Sequence, residues 1–165
     1  MAVSALKAAQ PLLTRDELFA MSGLEAMQAL VEGKVAPPSI AKTLGFSLVE
    51  VGEGFAAFEG LPSARILNPM GIVHGGWALT LLDSCLGCAA HTTLPAGYGY
   101  TSIETSGNFT RAILPTSGKV RAEGRVITGG RTIITAEGRI TDEKGRLLAH
   151  GKSTLLVMAP KGEKS

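Results

Sequence analysis

The chain has 165 residues, 45% of them hydrophobic and 18% charged, with a formal net charge of +2, which suits one domain with a proper core. The small, dispersed charge argues against nucleic acid as a partner. Asp83 interrupts the longest apolar run, so no membrane span is expected.

In chain order, the alanine-rich start, MAVSALKAAQPLLT, is broken by Lys7 and Gln10 and reads as the frayed terminus of a cytoplasmic protein, not a signal peptide. Thr14-Arg15-Asp16-Glu17 is a capping box. Leu18, Met21, Leu24, Met27, Leu30 and Val31 then recur at helical spacing, predicting one amphipathic helix that Gly33 ends and Pro37-Pro38 forbid to continue. Residues 1–38 are thus expected to form an N-terminal helical extension, a lid or packing arm on a main domain over 39–158, with a polar tail at 159–165. A short helical turn over 39–44 precedes two strands, 46–51 and 55–60, joined at Gly52-Glu53-Gly54. A loop follows from 61 to 73.

The stretch from Asn68 to Thr93 organises the rest. From about Gly75 to Thr92 it has helical length and is apolar on nearly every face, which predicts a buried helix. Asp83 is the only charged side chain between Arg65 and Glu104, and a buried carboxylate is costly unless paired or put to use. Cys85 and Cys88 lie too deep in the helix for a redox dithiol and are expected to pack in the core.

Strands are predicted near 99–111, 118–128, 131–142 and 146–158, with turns at Gly129-Gly130 and Asp142–Gly145. The segment AEGR occurs at 122–125 and again at 136–139 and reads as a local echo. One long buried helix and about six antiparallel strands give an α+β fold, a curled sheet wrapped around a central helix. The open edge of such a sheet is often managed by dimer pairing. Residues 105–158 carry 9 basic and 4 acidic side chains; these either serve an anionic, phosphate-bearing ligand or simply face solvent.

Gly75 and Gly76 let a ligand approach the backbone at a helix start, where unpaired N–H groups can hold a developing oxyanion; one such donor is worth about 3 kcal/mol of barrier. Asp83 can be a nucleophile, a general base for water or a satisfied core carboxylate. It follows Gly75 by eight residues, roughly 12 Å along a helix axis, whereas an attacking group must sit about 3 Å from its carbonyl. A catalytic role for both therefore demands two copies of the chain, a homodimer with sites at its interface. No serine-hydrolase elbow and no phosphate-binding loop appears. His74, His91 and His150 lack metal-ligand spacing, so no metal is expected. His150 reads as structural; His74 either orients the turn or faces the substrate.

The joint pattern Asn68-x-x-Gly71-x-x-His74-Gly75-Gly76, with Asp83 nine positions after the histidine, resembles the hotdog-fold acyl-CoA thioesterases, and most closely the phenylacetate-degradation (PaaI-like) branch. The resemblance spans roughly residues 40–158. It implies the hotdog fold. It also implies that the Gly75 N–H polarises a thioester carbonyl, that Asp83 of the partner subunit acts as base or nucleophile, and that Asn68 positions water or the carbonyl. Ser102, or its neighbour Thr101, would assist the carboxylate. Gly87 stands where a sister branch carries a helix threonine, so that role is absent. Gly76, Trp77, Thr101 and Arg111 would contact substrate; Trp77, Phe109 and Tyr100 are candidate pocket walls, and Arg111 and Arg131 candidates for the coenzyme A phosphates. The implied acyl groups are aromatic, such as phenylacetyl or hydroxyphenylacetyl; medium-chain fatty acyl groups are the alternative. Coenzyme A is part of the substrate and no separate cofactor is implied. Dimers of this branch commonly pair into tetramers. The competing readings are an acyl-CoA sensor, for which no effector domain is visible, and a hotdog hydratase or dehydratase, for which His74 is wrongly spaced from Asp83.

Overall fold

The computed structural model of the protein describes residues 12–160; the expected frayed terminus and the last five residues of the polar tail lie outside the described residues. Thr14 caps α1 (Arg15–Phe19), accepting from Glu17 N–H while the Glu17 carboxylate accepts from Thr14 N–H. The single N-terminal helix expected from the periodicity is instead a pair. Ser22 forms a second capping box with Glu25 and starts α2 (Gly23–Val31). Tertiary anchoring explains the break: Gly97 N–H donates to Phe19 O at 2.8 Å and Gly23 N–H to Leu94 O at 2.9 Å. A Cβ on Gly23 would stand 1.7 Å from His91 O, so the start of α2 lies directly on the chain that ends the central helix. A short α3 (Ser39–Leu44) is closed by Gly45 in the left-handed conformation.

Six strands follow the expected positions closely: β1 (Phe46–Gly52), β2 (Phe55–Gly60), β3 (Gly99–Phe109), β4 (Val120–Gly129), β5 (Ile133–Asp142) and β6 (Leu147–Met158). They form one curled sheet in the order β1-β2-β4-β5-β6-β3, with every neighbouring pair antiparallel. The long helix α4 (Gly75–His91) packs against all six strands. This is the hotdog architecture, with the helix pair α1–α2 added at its N-terminal side. No helix among the described residues is long and apolar enough to cross a membrane.

A furrow of glycines seats the central helix. Gly107, Gly151, Gly138 and Gly124 are successive cross-strand partners across β3, β6, β5 and β4. A Cβ on Gly124 would stand 2.4 Å from Cys85 O, and those on Gly107, Gly138 and Gly151 would press on Leu82 or Leu86 at 3.0–3.1 Å. The two AEGR segments contribute Gly124 and Gly138, which face each other, so their similarity reflects one shared task. Leu81, Leu82, Cys85 and Leu86 are consequently fully buried against Ile134, Ile140 and Leu155.

The helix is not buried all round, contrary to expectation. Leu79, Thr80, Asp83, Ser84, Cys88 and His91 form a half-buried stripe that the sheet leaves uncovered. The stripe reads as apolar because its hydroxyls are spent on the helix itself: Thr80 donates to Gly76 O at 2.8 Å and Ser84 to Thr80 O at 2.7 Å. Asp83 lies on that stripe, so its charge escapes the full cost of burial.

Candidate active site

Two groups of residues stand at separate levels of α4. The first surrounds its N-terminus. Asn68 Oδ1 accepts from Met70 N–H at 3.0 Å and Ile72 N–H at 3.3 Å, while Gly71 takes a φ of 76° to close the turn. Val73 N–H and His74 N–H then tie the chain to Ile113 O and Ile66 O. His74 is the N-cap: its Nδ1 accepts from Gly76 N–H at 2.9 Å. The two glycines therefore differ. The Gly76 N–H is engaged by the cap, whereas no hydrogen bond occupies the Gly75 N–H among the described residues. A Cβ at Gly75 would press on the Phe109 ring at 3.3 Å.

A cavity of about 340 Å³ opens at this point, with Asn68, His74, Gly75, Phe109 and Arg111 among its walls. The helix start supplies a partial positive charge and one free donor to it. Arg111 is exposed at the rim, held through its backbone N–H on Leu148 O. Arg131 is exposed beyond the end of β4.

The second group is built around Asp83. Its Oδ1 accepts from Ser102 Oγ at 2.9 Å and from Thr105 Oγ1 at 2.8 Å. Thr105 stands 3.0 Å from Ser153 Oγ, which also donates to Glu104 O. Each hydroxyl has one proton: that of Thr105 goes to Asp83, and that of Ser153 is shared between Glu104 O and Thr105 Oγ1. Both hydroxyls grip one carboxylate oxygen, and Oδ2 has no hydrogen-bond partner among the described residues. Asp83 is thus held from one side and presents a free lone-pair-bearing oxygen on the uncovered stripe.

Thr105 was not legible as a partner. Strand alternation puts residues two apart on one face, which selects Ser102 and Glu104. The pairing of β3 with β6 slips between Ser102 and Glu104. That bulge turns Thr105 toward the helix three residues after Ser102. Thr101, adjacent to Ser102 and exposed, is not brought to Asp83. Nor is Trp77 brought to either group. Its ring is 3% exposed, presses on Gly60, and donates its indole N–H to Leu44 O at 2.8 Å. Phe109 does line the first cavity.

Tyr100 and Gly87 meet beyond Asp83, with a Cβ on Gly87 standing 2.5 Å from the phenol oxygen. Cys85 and Cys88 are free, and burial raises both thiols, keeping them protonated as core residues. Among the described residues no three His, Cys, Asp or Glu side chains stand together as a metal site.

A family model described as "Thioesterase superfamily" matches residues 70–149, a stretch that includes His74, Gly75, Asp83, Ser102 and Thr105 and begins just after Asn68. The chain is 25% identical over 118 residues to a 1,4-dihydroxy-2-naphthoyl-CoA hydrolase of Listeria monocytogenes, covering 72% of this chain and 94% of that protein. Among solved structures, a thioesterase from Haemophilus influenzae superposes with a TM-score of 0.72 at 25% identity, over 86% of this chain and 94% of that one. The PaaI protein from the Escherichia coli phenylacetic acid degradation operon superposes with a TM-score of 0.73 at 19% identity, over 84% and 98%, a likeness of fold.

Proposed function

We propose that the chain is a thioester hydrolase of the thioesterase superfamily, whose model matches residues 70–149, and that it cleaves acyl-CoA esters, in the manner of the PaaI-like branch, at sites shared between two subunits. The carbonyl oxygen binds at the free Gly75 N–H of one subunit. Asp83 of the other subunit supplies the reacting carboxylate, through Oδ2. Either Oδ2 removes a proton from water as the water adds to the carbonyl carbon, or Oδ2 adds first and water then cleaves the acyl–aspartyl anhydride. In both routes the C–S bond breaks, the acid is released, and the proton ends on the coenzyme A thiol. Water is the only co-reactant. Asn68 and His74 hold the turn that presents Gly75, and Asn68 also faces the carbonyl or its water from the cavity wall. The Arg111 guanidinium at the rim takes the coenzyme A phosphates. The acyl group is aromatic, a reading supported by the aryl-CoA ester that the Listeria relative is named for.

The observation that carries this reading is the Asp83 carboxylate, tethered through Oδ1 by Ser102 and Thr105 with Oδ2 free. The two-subunit arrangement is supported by geometry: Gly75 and Asp83 of one helix are roughly 12 Å apart. The unpaired edge of β3, with Ile103 and Phe109 more than half exposed on it, offers the surface for a second copy. Pairing of such dimers into tetramers belongs to the same proposal.

The test is thiol release from a panel of aromatic and straight-chain acyl-CoA esters by wild type and Asp83→Asn. Asp83→Asn is expected to stay folded and to lose at least about 100-fold in kcat. Wild-type turnover by the folded variant would overturn the assignment of Asp83.

A further inference from the structure

Ser153 is one of three polar side chains buried among the described residues, at 2% exposed. The other two secure the ends of elements: Thr92 donates to Ala89 O and accepts from Gly54 N–H, and Asp142 accepts from the Lys144 and Arg146 N–H groups. Ser153 lies in mid-strand on β6, on the inner face of the sheet with Gly151 and Leu155. Its partner on β5 is Ala136, which is fully buried. Alanine would fill the same kind of place, and a buried hydroxyl is costly unless its hydrogen bonds are made. Ser153 does not line the cavity at Gly75 and makes no hydrogen bond to Asp83.

Both of its contacts fall on the bulge of β3. The ladder pairs Ser102 with Leu155 and Glu104 with Thr154, so Ile103 is the extra residue and has no partner on β6. In a regular strand, residues three apart point to opposite faces. The extra residue brings Ser102 and Thr105 to one face, where both reach Asp83. Ser153 spans this irregularity. Its Oγ donates to Glu104 O at 2.8 Å and stands 3.0 Å from the Oγ1 of Thr105, its partner across the strands. The Thr105 hydroxyl is thereby held from behind: it gives its proton to Asp83 Oδ1 and turns a lone pair to Ser153. Threonine has three staggered rotamers, and the contact with Ser153 favours the one that points Oγ1 at Asp83.

We propose that Ser153 is a positioning residue for the reaction: it locks the β3 bulge and holds Thr105 in the rotamer that fixes Asp83 Oδ1, so that Oδ2 stays aimed at the thioester. This rests on the reading of Asp83 as the reacting carboxylate. Without the Ser153 hydroxyl, Thr105 turns among its rotamers and Asp83 swings on its remaining tether, Ser102. The turn that presents Gly75 is untouched, so the loss falls on kcat.

The test compares wild type, Ser153→Ala, Thr105→Val and the double variant on the acyl-CoA ester, from a panel of aromatic and straight-chain esters, that wild type cleaves fastest. Thr105→Val should lose about tenfold in kcat and Ser153→Ala about fivefold, the effect of one neutral hydrogen bond, with KM unchanged in both. The double variant should be no slower than Thr105→Val, because Ser153 then has nothing to hold. Ser153→Cys, which fills the place with only a weak donor, should match Ser153→Ala. Isotope-labelled Thr105 gives a readout independent of turnover: three-bond couplings to its methyl carbon should report one rotamer in wild type and an average in Ser153→Ala. Unchanged kcat in Ser153→Ala, losses that add in the double variant, full activity in Ser153→Cys, or one rotamer throughout would overturn the proposal. Asp83→Asn is run beside them. No cleavage of any ester, or wild-type turnover by Asp83→Asn, would refute the reading of Asp83, and the rotamers alone would then decide whether Ser153 places Thr105. Asp83-dependent turnover that ignores Ser153 would refute only the positioning role.

Discussion

Asp83 keeps a fixed orientation because two hydroxyls from one strand converge on a single oxygen. Side chains that only orient a reacting group matter through geometry, and displacements of about 1 Å can cost around 100-fold in rate. Ser102→Ala and Thr105→Ala each leave one tether, so each is expected to lower kcat about tenfold with the acyl-CoA KM little changed; the double variant should fall further. Thr101→Ala, on the exposed face, should leave kcat as in wild type. Steady-state thiol release separates these outcomes, and unchanged turnover in the double variant would show that the tethers do not matter. At this scale the sequence was informative only in part. Asp83 stood out as a lone charge in an apolar helix, and the glycine pair stood out at a helix start. Ser102 came from the resemblance to a family. Thr105 was hidden by a bulge, since one extra residue reverses the facing of every later side chain and nothing in the local composition marks it. The packing of Trp77 against Gly60 was not legible, because an aromatic beside Gly76 says nothing about which way the helix turns it.

Elements are set in this fold by contacts that deny space to side chains. The row Gly107–Gly151–Gly138–Gly124 lets the α4 backbone lie directly on the sheet. At Gly124 the obstacle to a Cβ is the Cys85 carbonyl, a backbone atom that cannot rotate away. Gly124→Ala is therefore expected to destabilise by roughly 1–3 kcal/mol or more, the cost of overpacking. Gly129→Ala, where no atom lies within 4 Å of the added carbon, is the matched control. Thermal unfolding decides it; equal midpoints for the two variants would contradict the furrow. Strand positions were readable because alternation and turn residues are local signals. The furrow was not, because cross-strand register is non-local, although the repeated AEGR segments were its visible trace. The break between α1 and α2 was also written in the sequence, as Ser22-x-x-Glu25, but the longer apolar periodicity ran across it. Only docking onto the end of α4 decides that the chain stops and restarts there.

For the whole molecule, the sheet wraps the central helix incompletely. The stripe bearing Asp83 and the open edge of β3 adjoin each other, so one association can cover both and deliver the second half of the site. In the proposed dimer, burial and chemistry are linked: a monomer would expose apolar β3 side chains and hold Asp83 out of reach of any carbonyl at its own Gly75. Architecture was legible from one long apolar helix and a run of strands, and the proposed need for a partner, if Gly75 and Asp83 both act, rests on helix rise.

The most direct test of a shared site is subunit complementation. Asp83→Asn removes the carboxylate, and Gly75→Val pushes a side chain into the Phe109 ring and the cavity beneath the free N–H. Each variant alone should be nearly inactive. Dissociated, mixed in equal amounts and reassociated, they should recover about a quarter of wild-type thiol release, because half of the dimers are mixed and each mixed dimer holds one intact site of two. Mixed dimers identified by native mass spectrometry that recover no activity would mean that Gly75 and Asp83 do not serve the same carbonyl across the interface.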